Sequence, residues 1–390
     1  MSKPSFILSS DTGGTIQDGP AATIVHIPLN GHSIKTVKKK AVVAAGALVA
    51  EHPDSGIGDM HTPVAGVVTD ISAKSITVDT EAEKKEGAEE IQAEKIDFLN
   101  LSGDELISAL KKQGIDTHRI VKAGTLVING VNPEPGISAA GRIAGNNSAT
   151  LEKGLEVLHK VVSASKTIYA VAQGGSVSLS GADTANVSPV YPNSVDELVV
   201  KAVTGQEGLN DITVVSVHQL LAIGKVVETG LPLTETVMTV AGSDYTVKVG
   251  TPVSQALSHA GINAGPGDRL IVGGPMRGVA IFDKEQGVGK DAYGLFVVSD
   301  SDFPPVTDTA CLNCGECVAS CPARLSVNMI TRFAEFGLYE KAREYGIDYC
   351  FECGMCGFYC TARRPLVQLI QLAKSELAAI DAVAAAEAAA

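Results

Sequence analysis

The sequence has no tryptophan, and aromatic residues make up only 4% of it. Its cores must therefore be aliphatic, built from Val, Leu, Ile and Ala. Basic charge is also scarce: 31 Lys and Arg stand against 44 Asp and Glu, a formal net charge of -13. That balance argues against nucleic acid or anionic lipid as the main partner. No run approaches the roughly 18 consecutive apolar residues of a spanning helix. The stretch from Met1 to Asp11 lacks the basic-then-apolar pattern of a secretory signal. These absences predict a soluble, cytoplasmic chain, with peripheral attachment through protein contacts left open. Cysteine is missing from the first 310 residues.

What is present suits a compact chain: 390 residues, 45% hydrophobic and 19% charged, enough for two to three domains. All eight cysteines lie near the end. Cys311, Cys314, Cys317 and Cys321 form one run, and Cys350, Cys353, Cys356 and Cys360 form another. Both have the spacing Cys-x2-Cys-x2-Cys-x3-Cys, and Pro322 directly follows the first. This is the bacterial ferredoxin run, in which the fourth cysteine ligates the other run's cluster. Three thiolates of a tight loop cap three irons, and the fourth iron faces a different segment. The expected ligand sets are Cys311, Cys314, Cys317 and Cys360 for one 4Fe–4S cluster, and Cys350, Cys353, Cys356 and Cys321 for a second. The competing readings fit less well. Disulfides need an oxidising compartment, zinc prefers two cysteine pairs across a longer loop, and a single cluster would leave four cysteines idle. Gly315, Gly354 and Gly357 suit close backbone approach to a cluster. Ser326 to Tyr345 is predicted to form one helix between the runs, with Met329, Ile330, Phe333, Phe336 and Leu338 on its apolar side. Arg324, Arg363 and Arg364 either offset cluster charge or belong to the solvated surface.

Upstream, residues 22–80 alternate short apolar runs with turns, which predicts an all-β barrel or sandwich. The segment Met60 to Val68 is similar to half of a biotinyl/lipoyl-type hammerhead. The turn before it, His52 to Asp59, has no lysine to bear a carrier arm, so a structural role is expected. Lys35 and Lys38 to Lys40 read as a solvated basic face, and Glu81 to Lys95 as an exposed charged linker. Ser102 to Glu105 has the form of a capping box before a helix over Asp104–Gln113. Strand-like and helical segments then alternate (Thr125–Asn129, Thr150–Ala164, Thr167–Ala172), predicting an α/β layer domain. From about residue 228, a hairpin around Gly242, a helix over Pro252–Ala260 and a strand at Leu270–Val272 fit a β-grasp arrangement. The Ala-rich end should be a frayed helix or disordered. His26, His61, His159, His218 and His259 show no spacing that defines a site, and no Walker, Gly-x-Ser-x-Gly or Gly-x-Gly-x-x-Gly pattern occurs.

The order of these pieces resembles the C subunit of the Rnf complex, the ion-translocating electron transport complex. The resemblance rests on Gly13-Gly14, Pro63-Val64-Ala65-Gly66 and Ile128-Asn129-Gly130 with Glu134-Pro135. It continues through Gly230-Leu231-Pro232-Leu233-Thr234-Glu235, Gly273-Gly274-Pro275-Met276 and the two cysteine runs, and ends at Arg364-Pro365-Leu366-Val367-Gln368. It implies a multidomain α+β chain. The parts would be an N-terminal hammerhead-like β barrel-sandwich (1–96), a central α/β domain (97–227), a β-grasp domain like the soluble-ligand-binding type, SLBB (228–300), a helical ferredoxin-type two-cluster domain (301–376) and a tail (377–390). It further implies a peripheral electron-relay subunit on the cytoplasmic face of the cell membrane. Partners would be the other Rnf-type subunits and a soluble ferredoxin or cytochrome, with no nucleic acid. Family members carry a glycine-rich loop for FMN and NADH just before the Ile128 turn. Lys111 to Arg119 stands there instead, and Glu134 is a lone acid, which disfavours flavin. The alternatives are an NADH-oxidising FMN subunit of the same complex, a soluble cobalamin-reductase-like protein and a scaffold with redox-silent clusters.

Overall fold

A computed structural model describes residues 6–34, 37–84, 89–98, 100–302 and 309–389. Lys35, in the expected basic face, lies outside them. The chain divides into two compact units, one of residues 1–275 and 279–298, the other of 276–278 and 299–390.

The first unit is built on three main sheets. In the N-terminal one, strands Ile24–Pro28, Ser75–Asp79, Gly66–Ile71, Val42–Val43 and Glu90–Ile91 lie side by side in that order. Alternation of apolar residues drives one face inward, burying Val25 and Ile27 from one strand and Ile76 and Val78 from its neighbour. The second sheet is wholly parallel, in the order Asp183–Val187, Lys166–Ala172, Thr125–Asn129, Ile212–Ser216. Its middle strands are continuous apolar runs because helices must cover the sheet of such a βα layer. Helices Ser148–Val162 and Val217–Thr229 pack closely because glycine faces the partner on each. A Cβ at Gly154 would lie 2.6 Å from the Leu220 carbonyl oxygen, and one at Gly224 only 2.0 Å from that of Thr150.

The third sheet is mixed, with strand order Gln17–Asp18, Ser243–Lys248, Glu235–Val240, Gly294–Val298, Arg269–Val272, Val279–Ile281. The expected hairpin around Gly242 is its centre, and helix Val253–His259 covers it with Val253, Ala256 and Leu257. Helix Gly103–Lys112 starts one residue before its expected first residue. Ser102 occupies the cap position, but its side chain makes no capping bond. Gly103 has φ +54°, so the chain enters the helix from a backbone that a capping box does not use.

The second unit is helical: Glu316–Ala319, Val327–Glu335, Tyr339–Glu344, Met355–Phe358 and Leu366–Ala389. Its core comprises Val327, Ile330, Ala334, Ala342, Ile347, Ile370, Ala373 and Leu377. The helix expected over Ser326–Tyr345 is two helices, broken at Gly337, where φ is +68°. The Ala-rich end continues the helix that starts at Leu366. Among the described residues, no helix is long and apolar enough to cross a membrane.

Candidate iron–sulfur site

The two cysteine runs fold alike, residue by residue. Two positions after the first cysteine, Asn313 and Glu352 adopt left-handed φ values of +52° and +53°. Gly315 and Gly354, at +80° and +78°, then open one-turn helices. Past the fourth cysteine, Arg324 and Arg363 turn again at +59° and +50°. Left-handed backbone costs a side-chain-bearing residue about 1–2 kcal/mol, so its recurrence at matched positions marks a constrained loop. The turns aim amides at sulfur. The N–H of Asn313 donates to Cys311 Sγ and that of Glu352 to Cys350 Sγ, both at 3.4 Å. The N–H of Leu325 donates to Cys321 Sγ (3.5 Å) and that of Arg364 to Cys360 Sγ (3.4 Å).

The eight thiols surround two separate cavities. One, of about 400 Å³ and partly open to solvent, is lined by Cys311, Cys314, Cys317 and Cys360. The other, about 350 Å³ and likewise partly open, is lined by Cys350, Cys353, Cys356 and Cys321. The fourth cysteine of each run thus faces the cavity of the other run. The donor set fits a 4Fe–4S cube: all sulfur, four to a cavity, with backbone amides aimed at thiolates. A zinc ion would draw four sulfurs to about 2.3 Å from one centre. Among the described residues, no three His, Cys, Asp or Glu converge as ligands of a metal ion. A cube ties each thiolate to a different iron, so a wider quartet suits it.

Burial decides the acidity of these thiols. It pushes Cys353 up to about 11 and Cys356 up to about 12, and raises Cys350 and Cys317 as well. Exposed Cys314 goes the other way, chiefly through its hydrogen bond with the Thr361 hydroxyl. Buried thiols hold their protons, so loading iron must release them.

The three arginines differ. Arg324 and Arg363 are exposed, whereas the Arg364 side chain is only 10% exposed, pairs with Glu335 and lines the first cavity with Cys311. Sequence reasoning missed Asn328, Thr331 and Thr361, which line the first cavity. Matching the two runs beyond their last cysteines would have brought them forward.

The stretch Lys111 to Arg119 is sealed against the turn after His52. The N–H groups of Thr117 and His118 donate to the Gly56 carbonyl oxygen at 2.7 and 3.0 Å. Gly58 N–H donates to Asp116 Oδ1 at 2.7 Å, and Lys290 Nζ bonds that carboxylate at 2.6 Å and the Gly58 and Gly114 carbonyl oxygens at 3.0 and 3.2 Å. A Cβ at Gly58 would lie 2.3 Å from the Gly114 carbonyl carbon. Glu134 is fully buried and accepts a hydrogen bond from the Tyr293 hydroxyl at 2.6 Å. Of the histidines, His61 and His218 are held neutral by burial, both lowered to about 4.

The 4Fe-4S dicluster domain family matches residues 305–361. The chain is 26% identical to the C subunit of the ion-translocating oxidoreductase complex of Rhodobacter capsulatus, over 93% of this chain and 79% of that one. It is 25% identical to the C subunit of the proton-translocating ferredoxin:NAD(+) oxidoreductase complex of Clostridium ljungdahlii, over 93% and 90%. Among solved structures, an NAD+-reducing NiFe hydrogenase in its H2-reduced state matches at a TM-score of 0.40 and 14% identity, covering 67% of this chain and 60% of that one. By sequence the chain is similar, along nearly its whole length, to the C subunits of the ion-translocating oxidoreductase complexes.

Proposed function

We propose that this chain is an iron–sulfur electron relay with two 4Fe–4S clusters, a peripheral subunit of an Rnf-type ion-translocating oxidoreductase complex. The observation that carries the reading is the pair of cavities, each lined by three cysteines of one run and the fourth of the other. Cys311, Cys314, Cys317 and Cys360 hold one cluster; Cys350, Cys353, Cys356 and Cys321 hold the other. The clusters supply one-electron acceptance and release. The chain's own residues fix their positions and donate amide hydrogen bonds to the thiolates. The relatives' membership of such complexes supports docking to other Rnf-type subunits, at the cytoplasmic face of the membrane, with a soluble ferredoxin or cytochrome as exchange partner.

The domain division follows the same reading: a hammerhead-like β module (1–96), a central α/β domain (97–227), an SLBB-like β-grasp domain (228–300), the cluster domain (301–376) and a tail (377–390). The sealed seam between Gly56–Gly58 and Gly114–His118 supports a chain without flavin, because a flavin needs backbone free to approach it. The name of the Clostridium relative, with NAD(+) in its reaction, favours the second reading, an NADH-oxidising flavoprotein of the same complex. Anaerobic purification with iron, acid-labile sulfide and flavin analysis separates the two. About eight irons and eight sulfides per chain with no flavin are expected. One equivalent of flavin would put the second reading first.

A further inference from the structure

The internal repeat allows the two cluster sites to be compared at matched positions, and their linings differ in one direction. Where the first lining has Thr361, Asn328 and Thr331, the second has Pro322, Val367 and Ile370; Arg364, also in the first lining, is matched by Leu325, which lies outside the second. At these positions polar stands against apolar, while Asn313 of the first lining is matched by the acidic Glu352 of the second. Backbone amides to sulfur are shared by the two sites, whereas side-chain donors are not. The Arg364 guanidinium, paired with Glu335, lines the first cavity with Cys311, and the Thr361 hydroxyl lies 3.4 Å from Cys314 sulfur. Once Cys314 is a thiolate, only the hydroxyl carries a proton to donate. Lys374, the cation beside the second site, bonds the Cys350 carbonyl oxygen and Glu352 rather than a sulfur. Exposure runs the same way: Cys314 is exposed, whereas Cys353 and Cys356 are buried.

Resting on the relay reading above, we infer that the quartet Cys311, Cys314, Cys317 and Cys360 holds the higher-potential cluster, that Arg364 and Thr361 set it there, and that the electron held by the chain rests at this solvent-facing site. Reduction adds one negative charge to a cluster and transfers no atoms. Hydrogen-bond donors to sulfur and access to water stabilise that charge, and an apolar wall penalises it. An electron entering at the second cluster therefore passes to the first, and exchange with a partner takes place over Leu312 and Thr361, both exposed.

The test is a redox titration of the anaerobically purified full chain followed by EPR, after iron and sulfide analysis. Two midpoints are expected. Thr361→Val and Arg364→Leu should each lower the upper midpoint and leave the lower one in place. Arg364→Lys, which keeps a donor and the charge, should restore most of the shift. The converse pair Val367→Asn and Ile370→Thr should raise the lower midpoint. Full iron content with coincident midpoints, or with shifts in the lower midpoint for Thr361→Val, overturns the inference and leaves the relay reading standing. Iron content well below eight per chain overturns the relay reading itself.

Discussion

The two units of this chain obtain their order from different sources. The sheet-based unit closes over aliphatic cores in which Val127, Ile128, Val215 and Leu220 are wholly buried. Each such side chain contributes about 1.5–3 kcal/mol through burial. The cluster unit has a thin apolar core of short helices, and its loops hold strained left-handed residues at Asn313, Arg324, Glu352 and Arg363. Those loops make sense as a frame around metal. On the relay reading, one chain joins a unit that folds on apolar contacts to one whose strained loops are held by thiolate bonds, and stability must be argued separately for each.

Removing the metal should have the largest effect. Stripping iron with chelator and oxidant is expected to erase hydrogen-exchange protection at Ile330 and Ala373 while Val127 and Ile128 stay protected. Loss of protection in both units together would break the comparison.

A glycine in the sheet-based unit should give the reverse pattern. Gly224→Ala forces a methyl group against the Thr150 carbonyl and should cost about 3 kcal/mol or more. Thermal unfolding would record the loss, with iron content unchanged.

Acid should sharpen the contrast more gently. His61 and His218 belong to the sheet-based unit and sit near 4 in the fold against 6.5 when free. The unfolded chain takes up protons first, so their stabilisation is complete above pH 6.5 and drains away towards pH 4. The loss is roughly 3 kcal/mol per histidine, readable as a falling denaturation midpoint that His218→Phe should flatten. A midpoint that rises between pH 6.5 and 4 would contradict the burial argument.

The smallest effect belongs to Arg343. It is paired at the surface with Asp381, Glu340 and Asp348, where solvent screens the attraction. Arg343→Ala should leave iron content and unfolding unchanged.

The two cysteine runs that line the cavities were legible in the sequence because such a loop is a local device: its spacing is fixed within a dozen residues. Apolar alternation likewise revealed the strands at Ser75–Asp79 and Glu235–Val240. The break at Gly337 was hidden because Phe336 and Leu338 read as apolar-side positions, whereas both are exposed in the structure. The seam at Asp116 was out of reach, since Gly58, Asp116 and Lys290 meet only through the tertiary fold. Spacing sets Arg364, four residues past its run's last cysteine, apart from Arg324 and Arg363, three past theirs, but its burial and its pairing with Glu335 emerge only in the fold.

Crossed ligation is the central claim, and single-cysteine removal tests it most directly. In Cys360→Ala, iron should fall to about four per chain, and the EPR signal lost should be the one lost in Cys311→Ala. Loss of the signal that disappears in Cys350→Ala would contradict it and place each cluster within a single run.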